Sequence, residues 1–124
     1  MKLSTKYTGI EVAVIGIAGR FPGAENLEVF WQNLVEGVES ISQFNDNELI
    51  ASGVDSELLQ KDNFVKAKGV FPGLESFDAD FFNYTPKDAS TMDPQVRALH
   101  EEVYHALENA GYASEQYRGS VGLF

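Results

Sequence analysis

At 124 residues, with 44% hydrophobic and 12% aromatic side chains, the chain has the length of one domain or part of one, and it is globular rather than disordered in composition. A net charge of −10 argues against the surplus of Lys and Arg that nucleic-acid phosphates or an anionic membrane surface attract. The lack of Cys rules out disulfides and a thiolate nucleophile within these residues, and it fits a reducing compartment.

Residues 1–9 are polar and end at Gly9, and they read as a lead-in. They lack the apolar stretch of a secretory signal. The longest apolar run, 12–18, is far too short to span a bilayer, so a soluble, cytoplasmic chain with no membrane partner is expected. Residues 10–17 (IEVAVIGI) are β-branched and almost continuously apolar, the pattern of a strand covered on both faces. Gly19, Pro22 and Gly23 then mark a loop.

A helix is predicted from about residue 26 to 36. Leu27, Phe30, Trp31, Leu34 and Val35 share one face, for packing on a sheet or another helix, and Gly37 supplies the cap. Short helical turns with acidic starts follow at 46–49 and 55–59, and residues 64–70 read as extended. Residues 77–82 (FDADFF) form an aromatic knot. A helix begins at Asp93 as N-cap and Pro94 as first helical residue, and stops at Gly111. Val96, Leu99, Val103, Ala106, Leu107 and Ala110 form its apolar stripe, while Glu101, Glu102, His105 and Glu108 face solvent. Residues 120–124 read as the opening of a second buried strand whose apolar edge is unpaired. The isolated chain is accordingly expected to be poorly soluble, partly folded or self-associating.

The residue types that carry chemistry do not assemble into a site. The glycines from Gly16 to Gly23 fit neither a dinucleotide fingerprint nor a phosphate loop, so they read as a strand-to-helix turn. His100 and His105 lie five apart on one helix, about 140° around its axis, and cannot share a metal as an i, i+4 pair does. Asp93 is a cap, and no matched acid–base pair stands out among the carboxylates. The aromatic cluster of Phe77, Phe81, Phe82 and Tyr84 reads as core, because no basic residues interleave it.

Five segments in order resemble a known family: VAVIGIAGRFPGA at 12–24, Phe30-Trp31, FDADFF at 77–82, Met92-Asp93-Pro94-Gln95 with Arg97, and ALENAGY at 106–112. Together they resemble the N-terminal part of the β-ketoacyl synthase (ketosynthase) domain of modular polyketide synthases, over residues 10–124. The resemblance implies an α/β class, a partial thiolase-like fold holding the first part of the N-terminal α/β/α half. It implies decarboxylative Claisen condensation of an acyl-thioester with a malonyl-type extender carried on acyl carrier protein through phosphopantetheine. It also implies a homodimer, with the remainder of the ketosynthase domain as partner.

The family's nucleophile sits in a Thr-Ala-Cys-Ser-Ser motif and its catalytic histidines lie further on, and neither has a counterpart here. No catalytic, cofactor-binding or metal-ligating residue is therefore expected in this chain, and His100 and His105 do not take those roles. The chain alone is expected to be inactive. The alternative is a truncated, non-enzymatic scaffold or interaction segment. Asp93 and Arg97 are expected as structural anchors, with the Arg97 guanidinium on carbonyl or carboxylate oxygens of the complete fold. Residues 83–86 (NYTP) depart from the Gly-Ile-Ser-Pro of many members.

Overall fold

A computed structural model describes residues 8–113 and 116–124. Five helices and two short strands follow in the order α1 (Leu27–Glu36), β1 (Ile41–Gln43), α2 (Asp46–Ala51), α3 (Ser56–Leu59), β2 (Ala67–Gly69), α4 (Pro86–Thr91) and α5 (Pro94–Asn109). The lead-in expected over 1–9 lies, up to residue 7, outside the described residues. No described helix is long and apolar enough to cross a membrane.

The helices start and stop where local chemistry instructs. Asn26 caps α1 by accepting from Val29 N at 2.9 Å. At its other end the Val38 amide reaches back to the Asn33 carbonyl. In α2, Asn45 and Glu48 form a reciprocal capping box at 2.8 and 3.0 Å. Asp93 caps α5 with Pro94 in the first turn, and Gly111 and Tyr112 close the far end by donating to the Glu108 and Leu107 carbonyls.

The extended stretch expected over 64–70 contains β2, and its antiparallel partner is β1, with Ile41 opposite Gly69 and Gln43 opposite Ala67. The Phe44 amide continues the pairing to the Lys66 carbonyl at 2.9 Å, and Lys66 Nζ meets Asp46 Oδ1 at 2.5 Å. The partner strand β1 is too short for its alternation to register in the sequence. Helix α4 lies outside the predicted elements although its start is marked, by Thr85 as N-cap and Pro86 in the first turn.

Residues 10–17 depart from expectation. They belong to no ladder among the described residues. A strand is a joint property of two backbones, and no described backbone pairs with this one. Apart from Gly16 its apolar residues are largely bare, with Val12 92%, Val14 86%, Ile15 61% and Ile17 57% exposed. Residues 120–124 likewise pair with nothing described. The first of these segments enters through a local turn in which Glu11 accepts from the Thr8 amide and hydroxyl and from the Gly9 amide. Those bonds hold the Glu11 carboxyl below its ordinary value, at about 2.

Residues 16–24 bridge α5 and α1. A Cβ at Gly16 would lie 2.7 Å from Ala110 Cβ and 2.9 Å from its nitrogen, so only glycine admits this approach to α5. Phe21, Pro22, Gly23 and Ala24 form a type II turn. Pro22 occupies the second position and Gly23, at φ 71°, the third, with Phe21 and Ala24 exchanging backbone bonds of 2.8 and 2.9 Å. The Phe21 ring stacks on Phe30 of α1 at 3.9 Å between centroids. Asn33 of α1 donates to the Gly23 carbonyl at 3.0 Å. Ala24 at the turn's end, Leu59 and Ala89 are the buried apolar residues.

Candidate functional site

The best-built polar arrangement ties the 16–24 bridge to α5. Arg20 Nε donates to Glu102 Oε1 at 2.8 Å, and Arg20 Nη2 pairs with Glu101 Oε2. All three side chains are about one-fifth exposed (18%, 21% and 22%), so solvent screens the cluster only in part. Burial alone would lower the Arg20 pKa, but the bonds from Glu101 and Glu102 outweigh it and raise the value above arginine's ordinary one. Three residues earlier, the Ile17 amide donates to Asn109 Oδ1 at 3.1 Å. Glu101 and Glu102 therefore do not face solvent, as helical periodicity suggests they should. Their partner sits 81 and 82 residues away along the chain, and periodicity carries no signal for it.

The stripe expected to be the buried side of α5 is covered in part: Ala106, Leu107 and Ala110 are half-buried, while Val96 is 42%, Leu99 47% and Val103 37% exposed. Similarly, on α1, Phe30 is covered by Phe21, while Trp31, Leu34 and Val35 stay exposed. Polar groups engage within the chain, and much of the apolar surface finds no cover in it.

Beside that stripe, the aromatic knot folds against α5. Phe77 stacks on Phe82 at 5.2 Å, and Phe81 meets Tyr104 edge-on at 4.9 Å. Asn83 turns the chain at φ 59°, a left-handed conformation that Asn tolerates better than other side chains. His100 joins this cluster. Its Nδ1 lies 2.8 Å from the Val96 carbonyl, which can only accept, so Nδ1 carries the proton. Its Nε2 then accepts from the Tyr84 hydroxyl at 3.1 Å. Phe81, Phe82, Leu99, Val103 and Leu123 wall an open groove of about 510 Å³ around it.

Hydrogen bonds at both ring nitrogens fix His100, which ties the knot to the helix. His105 is exposed and touches the Tyr104 ring edge. The two histidines are not brought together. Among the described residues, no group of three or more His, Asp or Glu side chains could hold a metal ion. Asp93 is a cap, accepting from Gln95 N at 2.7 Å. The Arg97 Nε is inaccessible and has no hydrogen-bond partner among the described residues. Of the glycines at 16–23, Gly16 makes a close helix contact and Gly23 a tight turn, which leads into α1 without a strand before it.

An arginine held by two half-buried carboxylates ties the bridge to α5, and apolar side chains lie exposed on either side. The family model for the β-ketoacyl synthase N-terminal domain matches residues 10–124, and the chain belongs to that family. Its relatives are of the polyketide-synthase kind. Polyketide synthase PksN of Bacillus subtilis is 44% identical over 110 residues, 89% of this chain and 2% of that protein. A phenolphthiocerol/phthiocerol polyketide synthase from Mycobacterium tuberculosis is 40% identical over 113 residues, 91% of this chain and 8% of that protein.

Among solved structures, the module 1 ketosynthase of the Bacillus amyloliquefaciens bacillaene synthase is 48% identical with a TM-score of 0.64, covering 81% of this chain and 17% of that one. The module 6 ketosynthase of the Bacillus subtilis bacillaene synthase is 35% identical with a TM-score of 0.68, covering 83% of this chain and 17% of that one. The fold is thus a partial thiolase-like one, and the chain corresponds to the N-terminal part of a polyketide-synthase ketosynthase, about one-sixth of those solved chains.

Proposed function

We propose that residues 10–124 act as the N-terminal scaffold of a ketosynthase that condenses an acyl-thioester with a malonyl-type extender, losing CO₂. Both substrates would arrive on phosphopantetheine arms of acyl carrier protein, in the cytoplasm, and the working domain would be a homodimer. The observation that carries this reading is the bare apolar character of residues 10–17 and of the first half of the α5 stripe, in a chain that matches a condensing-enzyme family over the same residues. Surface of that kind is what a central strand and its covering helix present to the rest of an α/β sandwich.

In this reading the chain supplies no reacting group. It has no Cys to hold an acyl group. Its contribution is positional: the Arg20 cluster fixes the bridge on α5, and residues 10–17 are thereby held for pairing. A chimera tests this. Residues 10–124 replace the corresponding segment of a related ketosynthase, and the β-ketoacyl product on carrier protein is followed by mass spectrometry. The chimera is expected to condense, and the 124-residue chain alone to give no product. Product from the chain alone, or a folded but inactive chimera, overturns the proposal.

A further inference from the structure

From Gly16 onward the chain follows α5. A Cβ at Gly16 would lie 2.7 Å from Ala110 Cβ. The Ile17 amide donates to Asn109 Oδ1 at 3.1 Å. Arg20 then pairs with Glu101 and Glu102, about two turns nearer the start of the helix. Residues 10–15, by contrast, are exposed and have no strand partner among the described residues. The boundary between free chain and helix-bound chain falls between Ile15 and Gly16.

The Asn109 side chain is available for this use because of where it stands. A helix C-terminus leaves carbonyls over, and carbonyls need donors. The Gly111 and Tyr112 amides supply them, reaching the Glu108 and Leu107 carbonyls. Asn26 and Asn45 stand at helix N-termini and spend their side-chain oxygens on amides of their own helices. The Asn109 oxygen instead serves an amide 92 positions away along the chain. Its Nδ2 cannot accept, so the donor fixes which way the side-chain amide points.

We propose that Asn109 breaks the strand ladder of the complete ketosynthase at Ile17: its side chain, and not a neighbouring strand, is the partner of that amide, and Ile15 is the last rung before the break. Amides along a strand alternate between its two edges, so Ala13, Ile15 and Ile17 share one edge. A buried amide is paired, and once the rest of the domain covers this segment the Ile17 amide has two acceptors to choose from. Asn109 is already in place. A strand carbonyl could take the amide only if the segment moved off α5, and Gly16 holds it there by packing on Ala106 and Ala110. Asn109 is thus a positioning residue that acts through Ile17 on where pairing stops and the bridge to α1 begins. This role rests on the reading of the chain as part of a ketosynthase.

The test reads amide hydrogen exchange residue by residue in the complete ketosynthase carrying this segment, as the parent and as Asn109→Leu and Asn109→Asp. In Asn109→Leu, which removes the acceptor, the Ile17 amide is expected to exchange at least about fivefold faster, the effect of one lost hydrogen bond. Ala13 and Ile15 should keep the parent's rates. Asn109→Asp keeps an acceptor oxygen and should restore the parent's rate at Ile17. An Ile17 rate unchanged in Asn109→Leu overturns the break, since a strand would then hold the amide. So does a loss spread evenly over Ala13, Ile15 and Ile17, which would make Asn109 a general support of the segment. If Asn109→Leu does not fold, a crystal structure of the parent domain decides: Asn109 Oδ1 on the Ile17 amide is expected, and a strand carbonyl in its place overturns the assignment. Absence of protection at Ala13 and Ile15 in the parent counts against the ketosynthase reading, and Asn109 is then judged by the Ile17 rates alone.

Discussion

Arg20 is gripped from two sides, and its worth follows from that geometry. A single exposed ion pair contributes about 0–1 kcal/mol. Here one guanidinium meets two carboxylates on side chains about one-fifth exposed, and hydrogen bonds to charged groups of that kind contribute about 1.5–3 kcal/mol. Arg20→Ala in the complete ketosynthase is expected to lose about 1–3 kcal/mol in denaturant unfolding. Arg20→Lys should lose somewhat less, since it keeps charge but not the fork. The Arg20 pKa is raised, so its share of the stability is fully present below arginine's ordinary pKa and fades only as pH climbs past the raised value. Unfolding midpoints of parent and Arg20→Ala should therefore keep a constant gap between about pH 6 and 9 as far as the arginine is concerned. An Arg20→Ala domain as stable as its parent would show that the cluster is an ornament of the surface.

At the scale of the element, Gly16 decides how 10–17 meets α5. The segment crosses the helix where Ala106 and Ala110 present small side chains, and a methyl at Gly16 would collide with Ala110 and with the Ala106 carbonyl. Backbone carbonyls on a helix do not give way, so Gly16→Ala should cost about 1–3 kcal/mol by overpacking, and Gly16→Val more. Thermal melting of the complete domain measures this, and an unchanged midpoint would mean that the segment does not lie on α5. The same element shows what the sequence could tell. Helices α1 and α5 were legible with their caps, because Asp93, Pro94, Gly37 and Gly111 act on their own neighbours. The apolar character of 10–17 was equally plain, but its pairing was not, since a ladder depends on a backbone elsewhere. The apolar face of α5 was legible, and the chain covers its second half, at Ala106, Leu107 and Ala110, better than its first. Glu101 and Glu102 look like solvent residues until Arg20 arrives from the bridge.

At the scale of the molecule, accessible area states the consequence. A compact monomer of 13.7 kDa exposes roughly 6,600 Å², and its extended chain roughly 20,000 Å². This chain exposes 10561 Å², so it removes only about half of the extended surface from water. The excess of roughly 4,000 Å² is several times the area of about 800 Å² that each partner gives to a standard protein interface. Much of it is apolar: Ile10, Val12, Val14, Trp31, Val35 and Leu123 are each more than half exposed. Unpaired backbone at 10–16 adds an open strand edge to those side chains. Water tolerates such a surface poorly, and a net charge of −10 opposes association without covering the apolar patches. In isolation the 124-residue chain is expected to self-associate, to bind a hydrophobic dye such as ANS and to melt without a sharp transition. Sedimentation velocity, dye fluorescence and calorimetry read these three properties. Within the complete ketosynthase, the amides of residues 10–17 should be among the best protected in hydrogen exchange, because the pairing they lack here is supplied there. A monodisperse monomer with sharp two-state unfolding would mean that the chain covers its own apolar faces, and the scaffold reading would fall with the self-association.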